Sequence, residues 1–276
     1  MDSLVNYTDT GEIADLKNIL SGYGSVLVAF SGGIDSSFLL KASLDFLGKK
    51  RVLAVTSTGP IYPDSELEDA KNLAEQLEAP WRLIERNPVK NDEFKSNPNN
   101  RCYHCKLGLF QKLTRIARNE NLDEVCDGSI RDDLSGHRPG RAAGEEIGIK
   151  RPLEAAGLTK KDIRDLSKSL GLPGWDKPSN SCLATRIPYG SKVTEEKLAH
   201  IGKAETELRK LGFQGFRVRH HGEVARLELR TRDLEAALEN RRKITKQLKE
   251  LGFTYVTLDL EGYRTGSLNE SAKAKG

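Results

Sequence analysis

Apolar runs of strand length alternate with amphipathic segments through the first half of the chain. Residues Ser25 to Phe30 read SVLVAF, and the segment FLLKASLDFL follows with a helical periodicity. A second run begins at Val52 and precedes the amphipathic segment SELEDAKNLAEQLE, and short runs cover Trp81 to Ile84 and Asp123 to Asp127. This alternation predicts an α/β fold, a doubly wound parallel sheet with helices on both faces and right-handed crossovers.

Two further helices are predicted in this half. The segment that starts at Lys106, KLGLFQKLTRIARNE, is amphipathic. Thr159 followed by Asp162 has the form of a capping box and predicts a helix start. Residues 129–148 are rich in Gly, Pro and Asp, and we predict an irregular loop there.

The pattern changes after Val193 and predicts a smaller α+β domain with a mainly antiparallel sheet. A short turn, His221 to Glu223, joins two strand-like runs and indicates a hairpin. The predicted elements are a helix at 195–211, strands at 216–221 and 224–229, a helix at 234–251 and a strand at 255–260. We therefore divide the chain into a first domain at 1–190, a second at 191–268 and a flexible tail at 269–276.

Composition narrows the class of protein. The chain has 276 residues, 30% charged and 37% hydrophobic, as in globular proteins. Its apolar runs are shorter than the roughly 20 residues of a membrane helix, and Met1 to Leu20 lacks the pattern of a signal peptide, so we expect a cytoplasmic location without membrane contact. The net charge of +4 suits a phosphate-bearing small molecule and does not by itself indicate nucleic acid.

The segment SGGIDS, Ser31 to Ser36, joins the first predicted strand to the first predicted helix. Gly32 and Gly33 allow backbone N–H groups to approach an anion, the two serines add hydroxyl donors, and a helix N-terminus adds partial positive charge. Asp35 can cap the helix or hold a cation that bridges phosphate oxygens. Two glycines alone would favour an ordinary strand-to-helix turn with a capping residue.

The complete string resembles the PP-loop signature of the ATP pyrophosphatases, which include asparagine and GMP synthetases, NAD synthase and tRNA thiolases. It lacks the Gly-Lys-Ser/Thr ending of a P-loop. The resemblance implies that Ser31, Gly32, Gly33, Asp35 and Ser36 bind ATP with Mg²⁺, and that ATP is cleaved to AMP and pyrophosphate as a carbonyl or carboxylate oxygen is adenylated. N–H donors suit the charge that develops on the leaving pyrophosphate.

The four cysteines are too few for a disulfide scaffold. Cys102 and Cys105 form a CxxC pair, which can be a redox dithiol, half of a zinc site, part of an iron–sulfur site, or two incidental thiols. A zinc ribbon would need a second such pair, which the sequence lacks. With the distant Cys182, three thiolates can hold a cubane cluster and leave one iron open. Cys126 lies in a predicted strand and is interpreted as a core residue.

Several longer blocks resemble the LarE family, ATP-dependent sulfur transferases that help to make the nickel-pincer nucleotide cofactor of lactate racemase. The resemblance implies adenylation of a carboxylate on a pyridinium dicarboxylate mononucleotide, replacement of oxygen by sulfur, and assembly as a homohexamer. The blocks are SGGIDSSFLLKASLDFLG, Asp127-Gly128-Ser129 with Asp132-Asp133, His137-Arg138-Pro139-Gly140, Pro178 to Gly190, and YVTLDLEGYRTG.

The cysteines distinguish two types within that family. Some members donate the sulfur of one cysteine and are left with dehydroalanine, and Cys182 matches that cysteine. This chain also has Cys102 and Cys105, which the sacrificial type lacks and a cluster-bearing type possesses. The resemblance therefore implies a 4Fe-4S cluster on these three cysteines, whose open iron carries sulfide to the adenylate, with catalytic roles for Cys182 and Asp35.

Three arginines are candidates for the substrate phosphate. Arg217 and Arg219 alternate on one predicted strand and therefore share a face. Arg186 follows Cys182 by four residues and could steer an anionic substrate towards it. A solvated surface position is an equal alternative for each arginine. For Glu228, on the neighbouring strand, the family resemblance implies a carboxylate-lined site at a subunit contact, and a plain salt bridge is an equal alternative.

The same residues are compatible with two other functions. A tRNA thiolase also combines a PP-loop with three cysteines, although the mild charge and the lack of a basic stretch interleaved with aromatic residues argue against nucleic acid. A non-catalytic nucleotide-binding or cluster-carrier protein is the alternative from another class, and the intact SGGIDS argues against it.

Overall fold

A computed structural model describes residue 7 and residues 11–134, 139–176, 181–264 and 266–268. The chain divides into two compact units. The first contains residues 1–86 and 102–180, and the second contains residues 87–101 and 181–276. The division thus falls ten residues before the predicted boundary at 190, and the segment 87–101 belongs with the later part of the chain.

The first unit is an α/β structure, as the alternation of apolar runs predicts. Its strands are β1 (Val26–Ala29), β2 (Val52–Thr58), β3 (Trp81–Glu85) and β4 (Glu124–Cys126). Its helices are α1 (Gly11–Tyr23), α2 (Ile34–Leu47), α3 (Asp64–Gln76), α5 (Arg101–Asn119, with Arg101 in the second unit), α6 (Pro139–Ile147), α7 (Pro152–Ala155) and α8 (Lys160–Ser169).

The sheet of the first unit has the order β3-β2-β1-β4, and all of its pairs are parallel. Val26 and Val28 of β1 pack into one hydrophobic cluster while Leu27 packs into another, so helices cover both faces. The order reverses direction between β1 and β4. In open parallel sheets, ligands bind at the carboxyl ends of the strands at such a reversal.

Two predicted regions of the first unit differ from the structure. α5 begins at Arg101, five residues before the predicted start, so the CxxC pair lies inside the helix rather than before it. α6 occupies part of the predicted irregular loop. Pro139 is tolerated at its first position, and a Cβ on Gly144 would lie only 3.3 Å from Phe110, so this glycine serves close helix packing.

The second unit contains β5 (Arg217–His221), β6 (Val224–Glu228) and β7 (Tyr255–Leu258), with the helices α4 (Asp92–Lys95), α9 (Glu195–Lys210), α10 (Leu234–Glu239) and α11 (Arg241–Glu250). The predicted hairpin is confirmed, since β5 and β6 are antiparallel. β7 pairs with β6 in parallel, so the sheet is mixed rather than mainly antiparallel.

The helix predicted at 234–251 is two helices that meet at Asn240. The Asn240 side-chain amide donates to the carbonyl of Ala236 at 2.8 Å, a local bond that competes with helix continuation. Among the described residues, no helix has the length and apolar character needed to cross a membrane.

Candidate active site and cysteine positions

The SGGIDS loop is closed by its two serines. The hydroxyl oxygens of Ser31 and Ser36 lie 3.1 Å apart, and the Ser36 hydroxyl donates to the carbonyl of Gly33 at 2.9 Å. Gly32 has φ +76°, a conformation that favours glycine. Gly33 is the N-cap of α2, so first-turn N–H groups without intrahelical acceptors face the loop. The loop and the helix start therefore have the backbone geometry that the predicted anion cradle needs.

Two glycines allow neighbouring chain segments to approach this loop. A Cβ on Gly32 would lie 3.0 Å from the backbone nitrogen of Ala70 in α3. A Cβ on Gly128, which follows β4, would lie 2.8 Å from the nitrogen of Ser36. The end of β4 therefore packs closely against the first turn of α2.

Asp35 is held by a lysine that sequence reasoning missed. Lys160, the first residue of α8, places its Nζ 2.7 Å from each carboxylate oxygen of Asp35. Burial raises the pKa of Asp35, and the hydrogen bond and charge of Lys160 oppose that shift. This ion pair is neither of the two roles predicted for Asp35, helix capping and holding a cation that bridges phosphate oxygens, and both stay predictions.

A second charged pair lies at the end of β4. Asp127 is buried and its carboxylate accepts from the N–H of Ser129 at 3.0 Å. Lys106 approaches the same carboxylate at 3.8 Å. Since Lys106 directly follows Cys105 in α5, the cysteine helix and the end of β4 are linked within the first unit.

Cys102 and Cys105 are three residues apart in α5, a spacing that puts both on one side of the helix. Both are partly buried and free of disulfides. Arg86 donates to the carbonyl of Cys105 at 2.9 Å. Burial raises the pKa of the Cys105 thiol, while the positive charge of Arg86 opposes the shift.

Cys182 belongs to the second unit, where it immediately precedes the 3₁₀ turn Leu183–Arg186. Its carbonyl accepts from the N–H of Thr185 at 3.0 Å, from the Thr185 hydroxyl at 2.8 Å and from Arg186 at 3.0 Å. The Arg186 guanidinium is 1% exposed and also pairs with the equally buried Glu205 at 2.8 Å. Arg186 therefore holds the backbone that carries Cys182.

A second buried arginine contacts the same turn. Arg101 donates to the carbonyl of Ala184 at 3.0 Å and to the side chain of Asn97. The Asn97 amide in turn donates to the carbonyls of Pro188 and Ser191 at 2.7 and 2.8 Å. The residue that precedes Cys102 is therefore hydrogen-bonded to the turn that follows Cys182.

Arg217 and Arg219 are both buried on β5. Arg217 lies 5.1 Å from the ring centroid of Tyr263, and burial is the main cause that lowers its pKa. Arg219 donates to Glu228 at 2.8 Å and to the carbonyl of Thr185 at 2.7 Å, while its Nε is buried without a hydrogen-bond partner. The solvated-surface alternative is wrong for both residues, and Glu228 is in a buried salt bridge.

Of the remaining predicted positions, Cys126 lies in the core and several others lie outside the described residues. Cys126 is completely buried in β4, and burial raises the pKa of its thiol. The interpretation of Cys126 as a core residue is confirmed. His137 and Arg138, and the start of the block at Pro178, lie outside the described residues.

The available donors fit the predicted groups chemically. The glycine cradle and Asp35 suit ATP and its magnesium ion, and three cysteines outside disulfides suit an iron–sulfur cluster. Within the described ranges, no three His, Cys, Asp or Glu side chains are grouped closely enough to hold a metal ion. The cluster therefore stays a prediction.

Comparisons with known proteins extend over most of the chain. A family model of NAD synthase matches residues 15–104. An uncharacterized protein of Synechocystis sp. is 39% identical over 92% of this chain and 96% of its own length. The pyridinium-3,5-bisthiocarboxylic acid mononucleotide synthase of Lactiplantibacillus plantarum is 38% identical over 94% of each chain. An uncharacterized protein of Methanocaldococcus jannaschii is 32% identical over 87% of this chain and 91% of its own.

Proposed function

This chain belongs to the LarE family, the family of the pyridinium-3,5-bisthiocarboxylic acid mononucleotide synthase, and on that premise we propose that it is an ATP-dependent sulfur transferase. Its substrate is a carboxylate of a pyridinium dicarboxylate mononucleotide, and its product is the thiocarboxylate. The observation that carries the proposal is the SGGIDS loop, closed by its serines at the start of α2 and at the reversal point of the sheet.

The first half-reaction is adenylation. A carboxylate oxygen of the substrate attacks the α-phosphorus of ATP, and pyrophosphate leaves. The Gly32–Gly33 backbone and the first turn of α2 stabilise the charge on the leaving pyrophosphate. Asp35 is the residue that would hold the accompanying magnesium ion.

The second half-reaction transfers sulfur. Sulfide attacks the activated carbon and AMP leaves, so no external oxidant is needed. We propose that Cys102, Cys105 and Cys182 hold a 4Fe-4S cluster, which when bound supplies an iron with an open position for that sulfide. The support for this set is that all three cysteines are partly exposed and outside disulfides.

Arg217 and Arg219 are proposed to bind the substrate phosphate. Both are buried on one strand, and the buried Nε of Arg219 has no hydrogen-bond partner. Two guanidinium groups on one face of a strand suit an anionic phosphate. Arg186 was a third candidate, but its contacts with Glu205 and Cys182 favour a role in positioning the turn.

The test is an anaerobic assay that contains enzyme, ATP, magnesium, sulfide and the dicarboxylate mononucleotide. We expect AMP, pyrophosphate and a product heavier by the difference between sulfur and oxygen per carboxylate, in amounts that exceed the enzyme. ADP and orthophosphate as products would contradict the PP-loop chemistry. Thiolated nucleoside from added tRNA, without the mononucleotide product, would support a tRNA thiolase instead.

The cluster is tested separately by cysteine variants. Serine at Cys102, Cys105 or Cys182 should remove iron, sulfide and the brown colour of protein purified without oxygen. Cys126→Ser is the matched control, because this cysteine is buried in β4, and it should retain all three. A colourless protein that turns over once and loses sulfur from Cys182 would support the sacrificial route.

A further inference from the structure

Hydrogen bonds at the start of α8 hold the backbone of Lys160 in place. Thr159 caps α8 in a reciprocal capping box with Asp162. The N–H of Lys160 itself donates to the carboxylate of Asp132 at 2.8 Å. The position from which this side chain extends is therefore set by the capping box and by the bond to Asp132.

The ammonium of Lys160 contacts Asp35 across 125 positions of sequence, with 2.7 Å to each oxygen. The two side chains are 24% and 29% exposed, so water screens the pair only partly. Burial is the largest influence on the pKa of Asp35 and raises it, and the charge of Asp133 acts in the same direction. The hydrogen bond and the charge of Lys160 act in the opposite direction.

We propose that Lys160 is an internal counter-ion of the phosphate loop. Its ammonium neutralises Asp35 while no nucleotide is bound, and the divalent cation that accompanies the nucleotide displaces it from the carboxylate. The carboxylate oxygens that accept from Lys160 are the ligands that magnesium prefers. The inference rests on the proposed ATP reaction. Its consequence is an order of binding: free divalent cations compete poorly with Lys160, and the cation enters with ATP.

The exchange can be measured without nucleotide, substrate or cluster. Mn²⁺ is titrated into the nucleotide-free protein, and the free ion is followed by electron paramagnetic resonance. We expect weak binding to the wild type and at least tenfold tighter binding to Lys160→Met. Lys161→Met is the matched control, since Lys161 lies on the same helix and pairs with the exposed Asp165 at 2.9 Å, and it should behave as the wild type.

Two further variants distinguish exchange at Asp35 from a general effect of charge. Asp35→Asn combined with Lys160→Met should lose the tighter binding, and Lys160→Arg should retain the weak binding of the wild type. Mn²⁺ should also raise the melting temperature of folded Lys160→Met and leave that of the wild type unchanged.

Equal Mn²⁺ affinity of folded Lys160→Met and the wild type would overturn the proposal, as would tight binding that persists in the double variant. Pyrophosphate release is assayed separately, with ATP, magnesium and the dicarboxylate mononucleotide present. Absence of that release, together with the expected Mn²⁺ exchange, would contradict the proposed function and support the counter-ion role.

Discussion

Gly128→Ala tests the close approach of the β4 end to the phosphate loop. The added Cβ would lie 2.8 Å from the nitrogen and 3.0 Å from the Cα of Ser36, and 3.1 Å from the carbonyl carbon of Asp35. All three are backbone atoms of α2, so no side chain can rotate away. Ordinary van der Waals contact begins at 3.4 Å. The first turn of α2 must therefore move away from the added Cβ by about 0.6 Å.

The expected effects follow from that displacement. Overpacking of this kind costs about 1–3 kcal/mol of folding free energy, which lowers the melting temperature by roughly 2–10 °C in a chain of this size. Catalytic groups displaced by about 1 Å lose roughly 100-fold in rate. We therefore expect pyrophosphate release from ATP to fall by about 10- to 100-fold.

The assay compares pyrophosphate release and thermal unfolding for the wild type, Gly128→Ala and a control. Gly22→Ala is that control, because Gly22 lies in α1 and an added Cβ there meets nothing within 4 Å. It should retain activity and melt at or slightly above the wild-type temperature. Wild-type activity and stability in Gly128→Ala would refute the reasoning.

Two further predictions concern the second unit. Burial, followed by the charge of Lys197, lowers the pKa of His220 below its ordinary 6.5, so the unfolded chain binds more protons and the free energy of unfolding should fall as pH drops below 6.5. His220→Gln should flatten this dependence in urea titrations at pH 5.5 and 7.5, and an unchanged slope would contradict it. Glu205→Gln leaves the guanidinium of Arg186 buried without a charged partner and should cost about 3 kcal/mol of unfolding free energy. Arg209→Gln, which removes the exposed partner of the same carboxylate, should cost less than about 1 kcal/mol.

Local features of the chain could be predicted from the sequence because their physical causes act over a few residues. The apolar run before SGGIDS and the periodicity after it predict β1, the loop and α2, all of which are present. The Thr159–Asp162 capping box and the hairpin at 221–223 are likewise confirmed. Side-chain periodicity and cap hydrogen bonds need only neighbours along the chain.

Other features could be identified only in the tertiary structure, because the residues in contact are far apart along the chain. Lys160 is a surface-like lysine in the sequence, and only packing of α8 beside α2 brings it to Asp35. Gly128 has no room for a Cβ, because the end of β4 meets the first turn of α2. Its position in the sequence does not show this. The segment 87–101 joins the second unit through hydrogen bonds from Asn97 to carbonyls some 90 residues later, a contact that no local pattern encodes.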